Sequence, residues 1–166
     1  MGAFEIREDF YLNDQPFKIL SGAIHYFRID REDWYHSLYN LKALGFNTVE
    51  NYVSWNAHGP QRGHFHFEGN LDLEHFIQVA QELGLYVILR PSPFICSEWE
   101  FGGLPAWLIE EDLRIRSSDP AFLKEVARYY DELLPRVAKC QLDRGGNILM
   151  MQVENEYGSY GEDKAY

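Results

Sequence analysis

The sequence predicts an α/β fold: a (β/α)8 barrel of the TIM type, of which residues 1–166 carry about the first four β/α units. Three observations predict it. Short apolar stretches alternate with longer amphipathic ones in the order β, α, β, α, β, α, β, the pattern of parallel strands joined by crossover helices. Polar and ionisable residues gather directly after the second, third and fourth strands, at the rim where a barrel carries its chemistry. No Gly-x-Gly-x-x-Gly or Walker lysine motif follows any strand, so nucleotide-binding sheets lose ground. A small open α/β sheet, complete in itself, is the competing architecture. Eight units need about 250 residues, and 166 residues accommodate four. Residues 1–166 are therefore expected to be the N-terminal part of one barrel domain.

The elements follow in order. Residues 4–12 alternate loosely as a strand, and Asn13-Asp14-Gln15-Pro16 is a turn signal. A short hairpin then leads into a first parallel strand at about 18–25. Asp30 and Asp33 are candidate N-caps for a helix whose Trp34, Leu38, Leu41 and Leu44 share one stripe, stopped at Gly45. Residues 46–53 make the second strand, and a polar, glycine-rich loop covers 56–70. Leu73, Phe76, Ile77 and Ala80 are the apolar face of a second helix that ends at Gly84. Tyr86-Val87-Ile88-Leu89-Arg90 is the third strand. The segment 91–118 holds three prolines and two glycines, with short helical turns expected around 105–108. Loops of this length in compact domains are usually functional. Asp119 ahead of Pro120 caps a third helix to about Lys139. The fourth strand is expected at about 148–155.

Composition narrows the partners. The net charge is −11, which argues against a phosphate-backbone ligand and hence against nucleic acid. Aromatics are 16% of the chain, with 11 Tyr, 11 Phe and 4 Trp. Flat rings suit sugar faces, and they equally suit an aromatic core. Two cysteines, Cys96 and Cys140, are too few for a disulfide framework. Residues 1–6 have no basic or apolar leader pattern, and Ile6 stands where myristoylation wants Ser or Thr. No apolar run reaches spanning length. These readings lead to the expectation of a cytoplasmic, reducing compartment and no membrane partner.

The chemistry is concentrated in three groups: Glu50, Asn51, Tyr52, Trp55 and Asn56; Arg90, Cys96, Ser97, Glu98, Trp99 and Glu100; and Glu154, Asn155 and Glu156. The last closes the run Gly145-Gly146-Asn147-Ile148-Leu149-Met150-Met151-Gln152-Val153-Glu154-Asn155-Glu156-Tyr157-Gly158, in which an apolar strand stops at carboxylate, amide, carboxylate. A parallel barrel brings all three groups to one rim. There is no Ser-His-Asp set, HExxH helix or cysteine cluster, so no metal or cofactor is called for. His64 and His66 lack a third ligand and read as a solvated strand. Carboxylates with amides and rings suit cleavage of an acetal at a sugar: one protonated acid serves the leaving oxygen, and a second carboxylate attacks or activates water. Glu154 and Glu156 share strand parity, which leaves open which one reacts and which one only pairs with an arginine. Cys96 reads as a small buried hydrophobe rather than a nucleophile. His25 reads as a hydrogen-bonded wall of the pocket. Glu98 and Glu100 read as cleft acids or solvated loop acids, and Trp99 and Trp107 as loop anchors or sugar platforms.

Five segments in order carry a resemblance: Ser21-Gly22-Ala23-Ile24-His25-Tyr26-Phe27-Arg28, Tyr52-Val53-Ser54-Trp55-Asn56, residues 90–100, Gly102-Gly103-Leu104-Pro105-Ala106-Trp107-Leu108, and Gln152-Val153-Glu154-Asn155-Glu156-Tyr157-Gly158. Together they resemble glycoside hydrolase family 35, the β-galactosidases of the acid lysosomal type and their bacterial relatives. The resemblance covers nearly the whole chain. It implies retaining hydrolysis of terminal, non-reducing β-galactose from a galactoside oligosaccharide or glycan. It implies that Glu156 is the proton donor and later the base, and that Asn155 binds the sugar 2-hydroxyl. Tyr52, the backbone near Cys96 and Ser97, and the Glu98 carboxylate would hold the other hydroxyls. The family's nucleophile is a glutamate on the seventh strand, which no residue of 1–166 matches. The chain is therefore expected to be truncated before it and inactive alone. The chain departs from the family pattern at Asn51, Ser54, Gly59, Ser97 and Asn147, where the family usually has Thr, Pro, Glu, Ala and Pro.

The rival reading is a non-catalytic, galactose-binding half-barrel module. A lyase or aldolase would need a Schiff-base lysine or a metal, and Lys18 lies at the wrong rim. A half barrel would leave its first and fourth strands with open edges, which predicts self-association into a homo-oligomer.

Overall fold

A computed structural model describes residues 2–166. The chain opens with a small antiparallel meander, β1 (Phe4–Ile6), β2 (Phe10–Leu12) and β3 (Gln15–Pro16). The single strand expected over 4–12 is two strands. Arg7 N–H donates to Asp9 O at 2.9 Å to close the turn, and the Arg7 guanidinium holds Glu5 and Asp14. Asn13 and Asp14 both have positive φ, 51° and 61°, as a two-residue turn between twisted strands requires. Phe17 stands edge-on to Tyr86 at 5.4 Å, so the meander covers the N-terminal end of the main sheet.

That sheet is parallel and four-stranded: β4 (Ser21–Ala23), β5 (Thr48–Tyr52), β6 (Tyr86–Arg90) and β7 (Ile148–Met151), each beside its neighbour in sequence. The crossovers carry α1 (Trp34–Ala43), α3 (Leu73–Glu82) and α4 (Pro120–Ala138), with two short helices, α2 (Trp55–His58) and α5 (Tyr157–Tyr160). The order β, α, β, α, β, α, β is thus observed. The 56–70 loop begins within α2 and includes a 3-10 turn at Gly69–Leu71. Asp72 and Asp119 cap α3 and α4 with their side chains, through His75 N–H and Ala121 N–H. Asp33 occupies the N-cap of α1 without a side-chain bond. Leu44, expected on the apolar stripe of α1, is 77% exposed because it lies past the last turn. The first and fourth parallel strands are shorter than expected, and β7 stops at Met151, three residues before the first carboxylate.

Register explains the two faces. Val49 and Val87 lie side by side with Asn51 and Leu89 two residues on, all completely buried against the helices. The intervening row of Ala23, Glu50, Ile88 and Met150 is only partly covered, and Tyr52 and Arg90 continue that face toward the C-terminal end. One face is therefore helix-packed core, and the other is the concave lining of a barrel. Trp55 is buried, stacked on Tyr129 at 4.9 Å and edge-on to Trp107 at 5.8 Å, locking α2 against α4. Trp107 also donates to Gly59 O at 3.0 Å; it is a loop anchor.

A buried polar chain ties the 56–70 segment to this core. His58 donates from Nδ1 to His66 O at 2.6 Å and accepts the Tyr26 hydroxyl proton at Nε2. The imidazole is fully buried, and desolvation holds its pKa down to about 4, from 6.5. Above pH 6.5 the imidazole is neutral folded or unfolded, so nothing is lost. Between 6.5 and 4 only the unfolded chain takes up the proton, and each pH unit costs about 1.4 kcal/mol. Stability is expected to fall by about 3 kcal/mol on acidification to pH 4 from this group alone. Urea midpoints measured from pH 7.5 to 5 check this; a flat or rising midpoint contradicts it.

Candidate active site

Each parallel strand hands over to the same rim at its C-terminal end. A cleft of about 390 Å³ there is lined by His25, Arg28, Tyr52, Arg90, Cys96, Ser97, Glu98, Gln152, Asn155 and Glu156. A larger hollow of about 520 Å³, between α3 and the approach to β7, lies away from these groups. All six residues expected at a site, Tyr52, Cys96, Ser97, Glu98, Asn155 and Glu156, line the one cleft.

Asn155 is the hub. Its Oδ1 accepts from Arg90 Nη2 at 2.8 Å and from the Tyr52 hydroxyl at 3.3 Å. Two donors on one oxygen fix the amide's orientation, which leaves Nδ2 free to donate to a ligand hydroxyl. Arg90 pairs through Nη1 with Glu50 Oε1 at 2.6 Å, and its guanidinium lies over the Tyr52 ring at 3.9 Å. Burial raises the Tyr52 phenol above its ordinary pKa, against the pull of Arg90. The phenol therefore stays protonated at neutral pH and acts as a donor. His25 accepts Tyr52 N–H at Nδ1, 3.4 Å away, so the neutral ring carries its proton on Nε2. Burial first, then the charge of Arg28, lowers this imidazole to about 4. His25 is a neutral wall of the cleft, in line with the sequence reading.

The opposite wall is the turn after β6. Cys96, Ser97 and Glu98 have φ of 57°, 54° and 45° in succession. Consecutive left-handed residues are costly and persist only where their surroundings hold them. Arg28 supplies the hold, with Nη2 donating to the carbonyls of Ser97 and Glu98. The Trp99 indole donates to Asn56 Oδ1 at 2.9 Å, which makes it a loop anchor too. Cys96 is exposed in the cleft. This corrects the expectation of a buried hydrophobe: the left-handed turn lifts the thiol out of the core. Glu98 lines the cleft, whereas Glu100 contributes its carbonyl to Asn56 Nδ2 at 3.0 Å and does not line it.

Glu154 and Glu156 have separate fates. Parity does not apply, because the strand ends at Met151 and both residues have positive φ, 61° and 52°. Glu154 turns to Arg116 at 2.5 Å and is the arginine's structural partner. Glu156 is exposed in the cleft. Arg116 was invisible to sequence reasoning: it sits in an irregular segment with no periodic pattern, and nothing local distinguishes it from a solvated arginine. The pairing of Arg90 with Glu50 across two strand ends needed the register. Of the five departures from the family pattern, Ser97 alone lines the cleft. Asn51 is buried behind it and accepts Tyr26 N–H at 3.3 Å. The Ser54 hydroxyl donates to Asn56 Oδ1 at 2.5 Å. Gly59 leaves room for Phe65, whose ring carbons would lie 3.1 Å from a Cβ there. Asn147 donates to Ile77 O and Leu85 O.

A parallel strand set with carboxylates, an amide and a phenol converging on its C-terminal rim defines the fold class as part of a (β/α)8 barrel. Solved structures bear out the fold. A GH5_18 protein from Streptomyces cattleya in complex with GlcNAc superposes with a TM-score of 0.67 at 24% identity, over 87% of this chain and 36% of that one. A beta-galactosidase from the psychrophilic Marinomonas ef1 gives 0.63 at 18% identity, over 85% and 22%. The four β/α units are thus part of such a barrel. Residues 9–166 match glycosyl hydrolases family 35, and the chain belongs to that family. It is 52% identical over 159 residues to human Beta-galactosidase-1-like protein 2, covering 95% of this chain and 25% of that protein. It is 52% identical over 155 residues to the Beta-galactosidase of Mus musculus, covering 93% and 24%. The chain thus spans about a quarter of the length of these relatives.

Proposed function

We propose that the chain is the acid/base-bearing part of a retaining exo-β-galactosidase that removes terminal, non-reducing β-D-galactose. The observation that carries this reading is the cleft that Glu156 lines together with Asn155, Tyr52 and Glu98. Glu156 protonates the departing glycosidic oxygen and then deprotonates the incoming water. Asn155 Nδ2 and the Tyr52 phenol grip sugar hydroxyls, with Glu98 and the backbone of Cys96 and Ser97 on the facing wall. The attacking carboxylate is assigned to a strand outside residues 1–166, roughly 5–5.5 Å from Glu156 as retention requires. A reducing, cytoplasmic setting goes with this reading, in keeping with two unpaired thiols.

Support also comes from the family membership and from relatives named as beta-galactosidases. The test is the stereochemistry of the product. Full-length protein supplied with a nitrophenyl β-galactoside is expected to release β-galactose first, seen by proton NMR before mutarotation. Initial release of the α-anomer defeats retention, and no release defeats the β-galactosidase reading. Residues 1–166 alone are expected to give no turnover, since the attacking carboxylate is assigned outside them.

A further inference from the structure

The segment that carries Glu156 is held in an unfavourable shape by one buried cation. After Met151 the chain leaves strand geometry, with Glu154 and Glu156 both in the left-handed region. Two such residues within three positions require an external hold. Arg116 lies beneath them, 4% exposed. Its guanidinium is sandwiched between the rings of Phe94, at 3.9 Å, and Tyr160, at 4.0 Å. Phe94 can occupy that place because Gly102, at φ 59°, has no Cβ: one would lie 2.0 Å from the ring.

The edge of the guanidinium binds the two residues just before Glu156. Nη2 donates to Glu154 Oε2 at 2.5 Å and to Asn155 O at 2.6 Å, and Nε donates to Glu154 Oε1 at 3.3 Å. Glu154 Oε2 in turn accepts Asn155 N–H at 3.0 Å, and Oε1 accepts the Tyr166 hydroxyl at 2.9 Å. The Tyr157 hydroxyl donates to Arg116 O at 3.1 Å. Of the residues from 154 to 157, Glu156 alone has no side-chain hydrogen bond to the described residues, and it lines the cleft.

We propose that Arg116 is the positioning residue of the proton donor: by fixing Glu154 and the Asn155 carbonyl, it sets the backbone angle that aims the Glu156 carboxyl at the glycosidic oxygen. The proposal rests on the acid/base reading of Glu156. A planar fork is needed, because a point charge cannot hold a carboxylate and a carbonyl at two fixed angles while lying between two rings.

The test uses leaving groups in the full-length protein. A dinitrophenyl β-galactoside departs without a proton, whereas a methyl β-galactoside needs one. Arg116→Lys and Glu154→Gln are each expected to lower kcat/KM for the methyl galactoside about tenfold to a hundredfold, as misplacement of a catalytic group by about 1 Å does. The dinitrophenyl substrate should lose less than about threefold, since its departure draws little on general acid catalysis. The double variant should lose no more than the worse single one. A folded variant that loses both substrates equally, or neither, overturns the proposal, because a purely structural role does not distinguish leaving groups. Should Arg116→Lys fail to fold, Glu154→Gln carries the same test, as does Tyr160→Ala, which strips one exposed ring from the sandwich. Glu156→Gln is run in parallel and separates the two claims: if it spares the methyl galactoside, the donor assignment fails and the Arg116 proposal falls with it; if it abolishes that turnover while the Arg116 and Glu154 variants keep it, the positioning proposal alone is overturned.

Discussion

Glu156→Gln is expected to abolish hydrolysis of unactivated galactosides while leaving the fold intact. The residue is exposed in the cleft and its side chain makes no hydrogen bond to the described residues, so the substitution changes no packing. Surface changes of this kind stay within about 0.5 kcal/mol in stability. The amide keeps the shape of the acid and cannot release its proton. A positioned general acid contributes about a hundredfold to ten-thousandfold, so a loss of about a thousandfold in kcat/KM on an alkyl galactoside is expected. An activated aryl galactoside should be spared in the glycosylation step and should then stall, because the same residue must activate water. Steady-state rates on both substrates, with the melting temperature as a control, decide it. Wild-type turnover of the alkyl galactoside removes Glu156 from the role and with it the glycosidase mechanism proposed here.

Gly146→Ala is expected to give the largest loss of stability from the smallest change. The carbonyl of Cys140, just past the end of α4, accepts the N–H groups of both Asn147 and Ile148, at 2.9 and 3.0 Å, and so starts β7. A Cβ at position 146 would lie 2.0 Å from that oxygen and 2.2 Å from its carbon. The obstacle is backbone, so no rotamer change relieves it. Either the carbonyl swings away and two strand-starting bonds are lost, or β7 slides relative to β6. Overpacking together with lost buried bonds costs about 3 kcal/mol or more, a fall in melting temperature of about 10 °C for a chain of this size. Gly145 provides the contrast: it has φ 89° and open space around it, so Gly145→Ala should cost only about 1 kcal/mol. Equal melting temperatures for the two variants contradict the argument.

The sequence was readable where local pattern and local structure agree. The stripe of Leu73, Phe76, Ile77 and Ala80, the Asp119-Pro120 start of α4 and the apolar run of β6 all appear as expected. Each is specified by periodicity or by a cap within a few residues. The convergence of Tyr52, Glu98, Asn155 and Glu156 was also readable, because strands of one parallel sheet all end at one rim. Reading failed where a distant group decides the outcome. The end of β7 at Met151 and the exposed thiol of Cys96 depend on arginines far away in sequence, and strand parity could not separate Glu154 from Glu156, which the family motif alone did. Arg116 is 38 residues from Glu154, and Arg28 is 69 from Ser97.

By itself, then, the sequence determined the order of strands and helices, the family, and the set of polar residues at one rim. All of these follow from periodicity, caps and motifs that operate over a few residues. Tertiary structure alone decided what holds Glu154, which way the Asn155 amide turns, and which imidazoles stay neutral. Those outcomes depend on a guanidinium clamped between two rings, on donors brought in from neighbouring strands, and on burial. The free energy of a left-handed backbone or a neutral histidine is set by what packs against it, and the packing partners come from remote parts of the chain.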